Sequence, residues 1–383
     1  MRIAIFHHII GAESAIGKIL EELVRGLSKE VNCVTVYGSE LSEHLEKNEK
    51  VHLVKIPSIK RPLFLLFLTY HMFSIIRYWF DYLKGKRYDV IIGVESNFIF
   101  LNISYVHFCH TAYLKNEWHK GNTSGLLRIL RWLNHKFRAL LEPWIFRRAS
   151  CIVVPSYGLK REIEDTFPFV RYKVKVISNF IDWERMQSPT DFDRSSLRKR
   201  LGFNSNDIIV AFTALGNFEH KGLPLLLQAL DKVSCNFLKL LIIGGKLHEI
   251  RRWEKQVKKI GLEDRVWFIG FQKDIRPYLW IADLFVFPST KEIFPLAVIE
   301  AAAAGLPLIV TPLYGVEEFM QDGEMGYVVD RSVDSIIVSL EKFISLPPGE
   351  RMNMARRIKH AVKRYTPEVF VQKWLKMLSN IKT

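Results

Sequence analysis

Short β-branched or apolar runs alternate with helix-length segments along this chain from one end to the other. That alternation constrains the fold more than any other feature, because parallel strands are buried on both faces and each return crossing needs a helix. Strands are predicted over 2–6, 34–37, 51–54, 90–94, 103–107 and 151–155, and a second set over 208–213, 240–243, 266–269, 284–287, 307–310 and 326–329. The doubled set reads as an α/β chain of two Rossmann-like domains in tandem, with ligand expected where strand carboxyl ends face a central cleft. A length of 383 residues is too great for one compact core and suits two. The expected divisions are 1–172, 173–365 and a C-terminal helix over 366–383, where Phe370, Val371, Trp374, Leu375 and Leu378 fall at helical spacing. That helix is free to pack back on the N-terminal domain. The hydrophilic stretch 188–206 reads as a surface connection.

Charged residues make up 25% of the chain and hydrophobic ones 49%, which excludes disorder, collagen-like repeats and a long coiled coil. Cys33, Cys109, Cys151 and Cys235 lie far apart without a C-x-x-C pair, against a disulfide framework or a zinc finger and in favour of a reducing cytoplasm. Met1-Arg2 leads directly into a strand-like IAIF, which reads as native fold and not as a secretory leader. The apolar stretch 62–76 falls short of the roughly 20 residues a spanning helix needs, so no bilayer crossing is expected.

From 266 to 329 the chain reads VWFIGFQKDIRPYLWIADLFVFPSTKEIFPLAVIEAAAAGLPLIVTPLYGVEEFMQDGEMGYVV. Pro295 suits the first position of a helix running to Ala304, since it needs no amide donor there. A helix start offers free amides and a positive dipole, suited to a diphosphate. Glu292 lies just before that start and Glu300 one to two turns inside. Lys221, in GNFEHKGL, is expected to follow a strand and open a helix, and Gly11 lies in the turn after the first strand, where backbone amides can approach phosphate.

The ADLFVFPS strand, the E-x7-E pair Glu292 and Glu300, the EAAAAGLP helix end and the later G-x-x-E turn, in this order, resemble the C-terminal signature of GT-B fold retaining glycosyltransferases of family 4. Weaker echoes at HFCHT (107–111), VISNFID (176–182), HKGLPLLLQAL (220–230) and LLIIGG (240–245) extend the likeness over most of the chain. The resemblance implies that Glu292 hydrogen-bonds the donor sugar near the reacting carbon, that Glu300 holds the ribose hydroxyls, and that Phe294, Pro295 and Leu296 line the donor. It implies that Lys221 neutralises the departing nucleoside diphosphate, beside Gly216 and Asn217, and that His110 stands against the donor sugar, with His107 at the strand end. Three departures stand out: Gly216 where the family usually has Arg, Ile293 and Pro295 where it commonly has Gly, and Ala112 in place of Pro. Enzymes of this kind generally work without a metal. No cluster of carboxylates or cysteines accompanies the pairs His7-His8 and His107/His110, so neither a metal nor a cofactor is expected, only a nucleotide sugar as co-substrate.

Between Lys60 and Arg148, 14 Lys and Arg stand against five Asp and Glu, within a formal net charge of +15. The segment 126–141 puts Arg128, Arg131, His135 and Arg138 on one helical stripe beside Trp132, with Leu126, Leu130, Leu133, Phe137 and Leu140 opposite. The segment 62–83 adds aromatic anchors flanked by Lys60, Arg61, Lys84, Lys86 and Arg87. Basic residues beside apolar anchors predict an anionic membrane surface as partner, with Arg128, Arg131, Trp132 and Arg138 as contacts. No nucleic-acid motif accompanies the charge. The expected activity is retaining transfer of a hexose from a nucleotide sugar to a hydroxyl of a glycolipid or lipid-linked saccharide in cell-envelope polysaccharide synthesis, peripherally at the inner membrane face. The rival readings are a catalytically silent scaffold that binds membrane or polyanion, and a nucleotide-sugar epimerase.

Overall fold

The computed structural model describes residues 1–11, 14–59, 61–120 and 125–381, so Lys60 lies outside the described residues. The chain divides into two compact units, Met1–Phe180 with Pro367–Thr383, and Ile181–Thr366.

The first unit holds seven parallel strands: β1 (Arg2–Phe6), β2 (Cys33–Gly38), β3 (Val51–Lys55), β4 (Val90–Val94), β5 (Ile103–Tyr105), β6 (Cys151–Val154) and β7 (Val174–Val176). Their order is β3-β2-β1-β4-β5-β6-β7, so the topological switch point lies between β1 and β4. β1 and β4 are apolar and buried at nearly every position, as a strand covered on both faces must be. Around the sheet run α1 (Ala15–Glu30), α2 (Leu63–Leu83), α3 (His110–Asn116) and α4 (Gly125–Arg148). Ser14 caps α1 by accepting the Gly17 amide at 2.9 Å.

The second unit begins with α5 (Arg194–Arg200), whose Arg194 and Arg198 both pair with Asp283. The stretch predicted as a bare connection thus contains a docked helix. Six parallel strands follow: β8 (Ile208–Ala214), β9 (Leu238–Gly244), β10 (Val266–Gly270), β11 (Leu284–Phe287), β12 (Leu308–Val310) and β13 (Gly326–Val328), in the order β10-β9-β8-β11-β12-β13. The helices that matter for the site are α6 (Phe218–Lys221), α7 (Leu223–Lys232), α8 (Leu247–Lys259) and α9 (Leu296–Ala303).

The division falls at Phe180 and not at 172, because β7 pairs with β6 and extends the first sheet. The strand escaped the sequence reading because three residues carry no periodicity. The last helix, α10 (Pro367–Ile381), returns to the first unit, burying Phe370, Trp374, Met377 and Leu378 in its core. Gly26 of α1 permits the close approach: a Cβ there would lie 2.4 Å from Val371.

Candidate active site

In the second unit, the loops after β8 and β11 meet at the carboxyl edge of adjacent central strands. The Lys221 Nζ contacts a carboxylate oxygen of Glu292 directly, and Ser289 Oγ donates to that same oxygen at 2.7 Å. The loop after β11 is laced to α6: the Thr290 amide donates to the His220 carbonyl at 3.0 Å, and His220 Nε2 lies 3.3 Å from the Lys291 carbonyl. Gly222 makes this possible. It sits at φ 89°, and a Cβ there would lie 2.2 Å from the Pro288 carbonyl.

Lys221 does not open a helix as predicted. It closes the single turn α6, and α7 begins two residues later, so its ammonium is placed by the carboxylate of Glu292 and not by a helix dipole. Pro295 is the cap before α9 and not its first residue; its carbonyl accepts the Val298 amide at 3.1 Å. Leu296 is the first helical residue and is half-buried, and Glu300 lies in the middle of the helix, likewise half-buried. Phe294 is a core residue: it packs edge-on against Tyr365 at 5.6 Å, and Gly315 leaves room for its ring. Its side chain is therefore mostly buried.

Gly216 and Asn217 stand at the start of the lysine loop, Asn217 in the left-handed region at φ 60°. The sequence did not single out Glu249, at the start of α8. Its carboxylate accepts the Asn217 amide at 2.7 Å, and a side chain at 216 would run into it at 2.7 Å. Where the resemblance implies an Arg, this loop is pinned by an acid from α8. In the first unit, Gly11 is buried in the loop before α1 with ordinary space around it. The demanding position is Gly17, whose Cβ would lie 2.3 Å from the Gly11 carbonyl.

His110 is buried at the start of α3, and its surroundings come from α4. Glu142 accepts the amides of His110 at 2.6 Å and Thr111 at 2.9 Å, capping α3 from a neighbouring helix. Pro143 lies inside α4 and has no amide for the Ala139 carbonyl; Thr111 Oγ1 lies 3.4 Å from that carbonyl and 2.6 Å from Glu142. Burial pushes the Glu142 carboxyl up to about 7 against these hydrogen bonds. His110 Nδ1 lies 2.9 Å from His135 Nδ1, so one ring donates and the other accepts. Burial, then the charge of Arg138, hold His110 well below the usual histidine range and His135 down at about 4.

Arg138 therefore does not belong to an exposed membrane stripe. Its guanidinium lies 3.9 Å over the Phe67 ring, its Nη1 donates to the Glu95 carbonyl at 3.0 Å, and its Nε has no exposed surface. His135 likewise turns inward, and Phe137 packs against Phe64 and Phe67. The predicted stripe splits because α4 packs along α2 and α3. Arg128, Arg131 and Trp132 remain exposed, as do Leu126, Leu127, Leu140 and Trp144. The predicted apolar and basic faces are thus mixed.

Helix α2 has 21 residues and runs beyond the apolar stretch 62–76, and by length and composition alone it is long and apolar enough to cross a membrane. Polar contacts nonetheless tie it to the first unit. Tyr70 donates to the Tyr37 carbonyl at 2.5 Å, and Asp81 accepts from Tyr37 at 2.9 Å. Among the described residues, no group of three or more His, Cys, Asp or Glu is placed to hold a metal ion.

Residues 193–364 match the family model described as Glycosyl transferases group 1, and residues 16–185 match Glycosyltransferase Family 4. The chain is 29% identical over 355 residues to the N-acetyl-alpha-D-glucosaminyl L-malate synthase of Bacillus anthracis, covering 85% of this chain and 88% of that one. It is also 29% identical to the lipopolysaccharide 1,2-N-acetylglucosaminetransferase of Salmonella typhimurium, covering 68% and 71% respectively. The structure of HepE from Anabaena in complex with UDP superposes with a TM-score of 0.76 at 17% identity, covering 99% of this chain and 100% of that one. At that identity the likeness shows the fold, which is GT-B.

Proposed function

Since the chain belongs with the group 1, family 4-like glycosyltransferases, we propose that it transfers a hexose, with retention of anomeric configuration, from a nucleotide sugar to a hydroxyl of a glycolipid or lipid-linked saccharide. The observation that carries this reading is the contact between Lys221 and Glu292 at adjoining strand ends. A cation there opposes the charge that builds on the diphosphate as the glycosidic bond breaks, and preorganised charges of this kind act most strongly in the transition state. Glu292 orients the Lys221 ammonium and accepts hydrogen bonds from the donor sugar. Glu300 holds the ribose, and the amides at the start of α9 receive a phosphate. No metal takes part; the ammonium and the helix start supply the positive charge.

The binding of UDP by HepE supports a uridine nucleotide donor, and the lipopolysaccharide transferase supports an envelope saccharide as acceptor class. Large apolar side chains left exposed on α2 and α4, with Arg77, Lys84, Arg128 and Arg131 nearby in sequence, support peripheral docking at the cytoplasmic face of an anionic membrane. Incubation with UDP-, GDP- and ADP-sugars and a lipid-linked acceptor tests the whole reading. It expects an α-linked product from an α-linked donor. An epimerised nucleotide sugar formed without acceptor would indicate an epimerase, and absence of nucleotide-sugar binding would indicate a silent scaffold.

A further inference from the structure

The carboxyl edge of the first sheet gathers an unusual set of side chains around Arg138. His7 follows β1, Glu95 and Ser96 follow β4, and His107 and His110 follow β5. This is the switch point of the sheet, where open α/β folds bind ligands. Glu95 and Ser96 are both held in the left-handed region, at φ 55° and 60°, a strained conformation for non-glycine residues that tends to mark functional loops.

The polar groups here are incompletely satisfied. Both ring nitrogens of His107, Nε2 of His110 and Nε of Arg138 are buried without a hydrogen-bond partner. His107 Nδ1 lies 3.4 Å from Glu95 Oε1 without hydrogen-bond geometry. Among the described residues, no carboxylate lies within ion-pair distance of the Arg138 guanidinium. The two nearby acids are engaged elsewhere: Glu95 accepts the His107 amide at 2.5 Å, and Glu142 caps α3. Buried donors left unpaired are costly, and the charge of Arg138 is offset only through space, by Glu95 and Glu142. A ligand that accepts hydrogen bonds and carries negative charge would satisfy both.

We propose that this cluster binds an oxyanion of the acceptor, a phosphate or a carboxylate, with Arg138 as its cation and His107 and His110 as hydrogen-bonding partners. The proposal rests on the transferase reading above and adds to it the chemical class of the acceptor. A guanidinium presents its donors in a planar fork that matches such an anion, and Arg138 keeps part of its surface exposed for the ligand to reach. Burial, with the charge of Arg138 added, holds His8 at about 4 and His110 and His135 also below the usual range. His110 thus remains neutral at physiological pH, with one ring N–H.

The test is ring-resonance NMR on the full chain carrying isotope-labelled histidine, titrated with sodium phosphate, sodium malonate and UDP, each against sodium chloride at equal ionic strength. The expected result is saturable shifts at His107 and His110 with at least one of the two oxyanions. A response to phosphate alone assigns a phosphorylated acceptor, and a response to malonate alone assigns a carboxylate. Arg138→Gln should raise the midpoint about tenfold or more, and Arg138→Lys, which keeps the charge but loses the fork, severalfold. His220 in the lysine loop reports UDP independently. No saturable shift at His107 and His110 overturns the proposal, as does an unchanged midpoint in Arg138→Gln or, if that variant does not fold, in Arg138→Lys. A silent His220 with the oxyanion response intact would instead sink the donor reading and leave this site standing.

Discussion

The two units place polar groups at the carboxyl edges of similar sheets by different means. In the second unit, Ser289 and Glu292 lie within one loop and meet Lys221 at the end of α6, after the neighbouring strand, so the geometry is set by short segments with distinctive sequence. In the first, Arg138, His135 and Glu142 reach the edge from a long helix, and their positions depend on how α4 packs against α2 and α3. Loop-coded sites are open to rapid change residue by residue. A packing-coded site moves only when a helix does.

The sharpest break between the two is expected at the Lys221–Glu292 pair. Glu292→Ala and Lys221→Ala should each lower kcat by on the order of 10²–10³-fold, measured with saturating donor, while thermal stability stays near wild type. Because the partners touch, their effects should fall well short of additive in the double variant. A Lys221→Ala enzyme with altered KM alone would show that the ammonium binds ground state and transition state alike. Glu300→Ala should act mainly on donor affinity, weakening it by roughly 1–3 kcal/mol, readable by calorimetry.

Next in size is a backbone effect. Gly222→Ala must place a methyl against the Pro288 carbonyl at a positive φ, which should cost roughly 2–3 kcal/mol in chemical denaturation and unlatch the lysine loop.

The first unit should answer to pH instead. His135 is depressed to about 4 in the folded chain, below its unfolded value, so its contribution to stability is present above pH 6.5 and is lost as pH falls through 4. His135→Phe should make that acid limb shallower in melting-temperature profiles. Glu142 has the opposite sign: raised to about 7, its contribution is complete below its unfolded value near 4.5 and is lost as pH rises through 7. Glu142→Gln should flatten that limb.

The smallest effect on catalysis is expected on the surface. Arg128→Glu with Arg131→Glu should reduce sedimentation with acidic vesicles, most visibly at low salt, and leave turnover of a water-soluble acceptor nearly unchanged. Equal vesicle binding by wild type and variant would make that charge ordinary solvated surface.

The contrast also explains what could be read from the sequence. Three predicted strands, 2–6, 90–94 and 284–287, have the observed bounds, because a buried parallel strand is a continuous apolar run. Glu292 and Lys221 were legible because loop motifs are contiguous. Arg138 was misassigned because an amphipathic stripe shows which residues share a helix face but not what covers it. Glu142 and Glu249 carried no signal at all: each acts by capping backbone amides supplied from elsewhere in the chain. Lys221 was placed at a helix start because a strand followed by an apolar helix hides the single turn between them.

The return of α10 to the first unit reverses the order in which the two cores can mature during translation. Phe370, Trp374, Met377 and Leu378 are made after every residue of the second unit, yet they close the core of the first. A nascent chain therefore carries α1 with its docking face uncovered while residues 181–366 are synthesised and fold. The second unit has all its strands in one uninterrupted stretch and can finish as it emerges. The first must wait for a long-range contact, and during that wait α1 lacks the close approach of Val371 to Gly26.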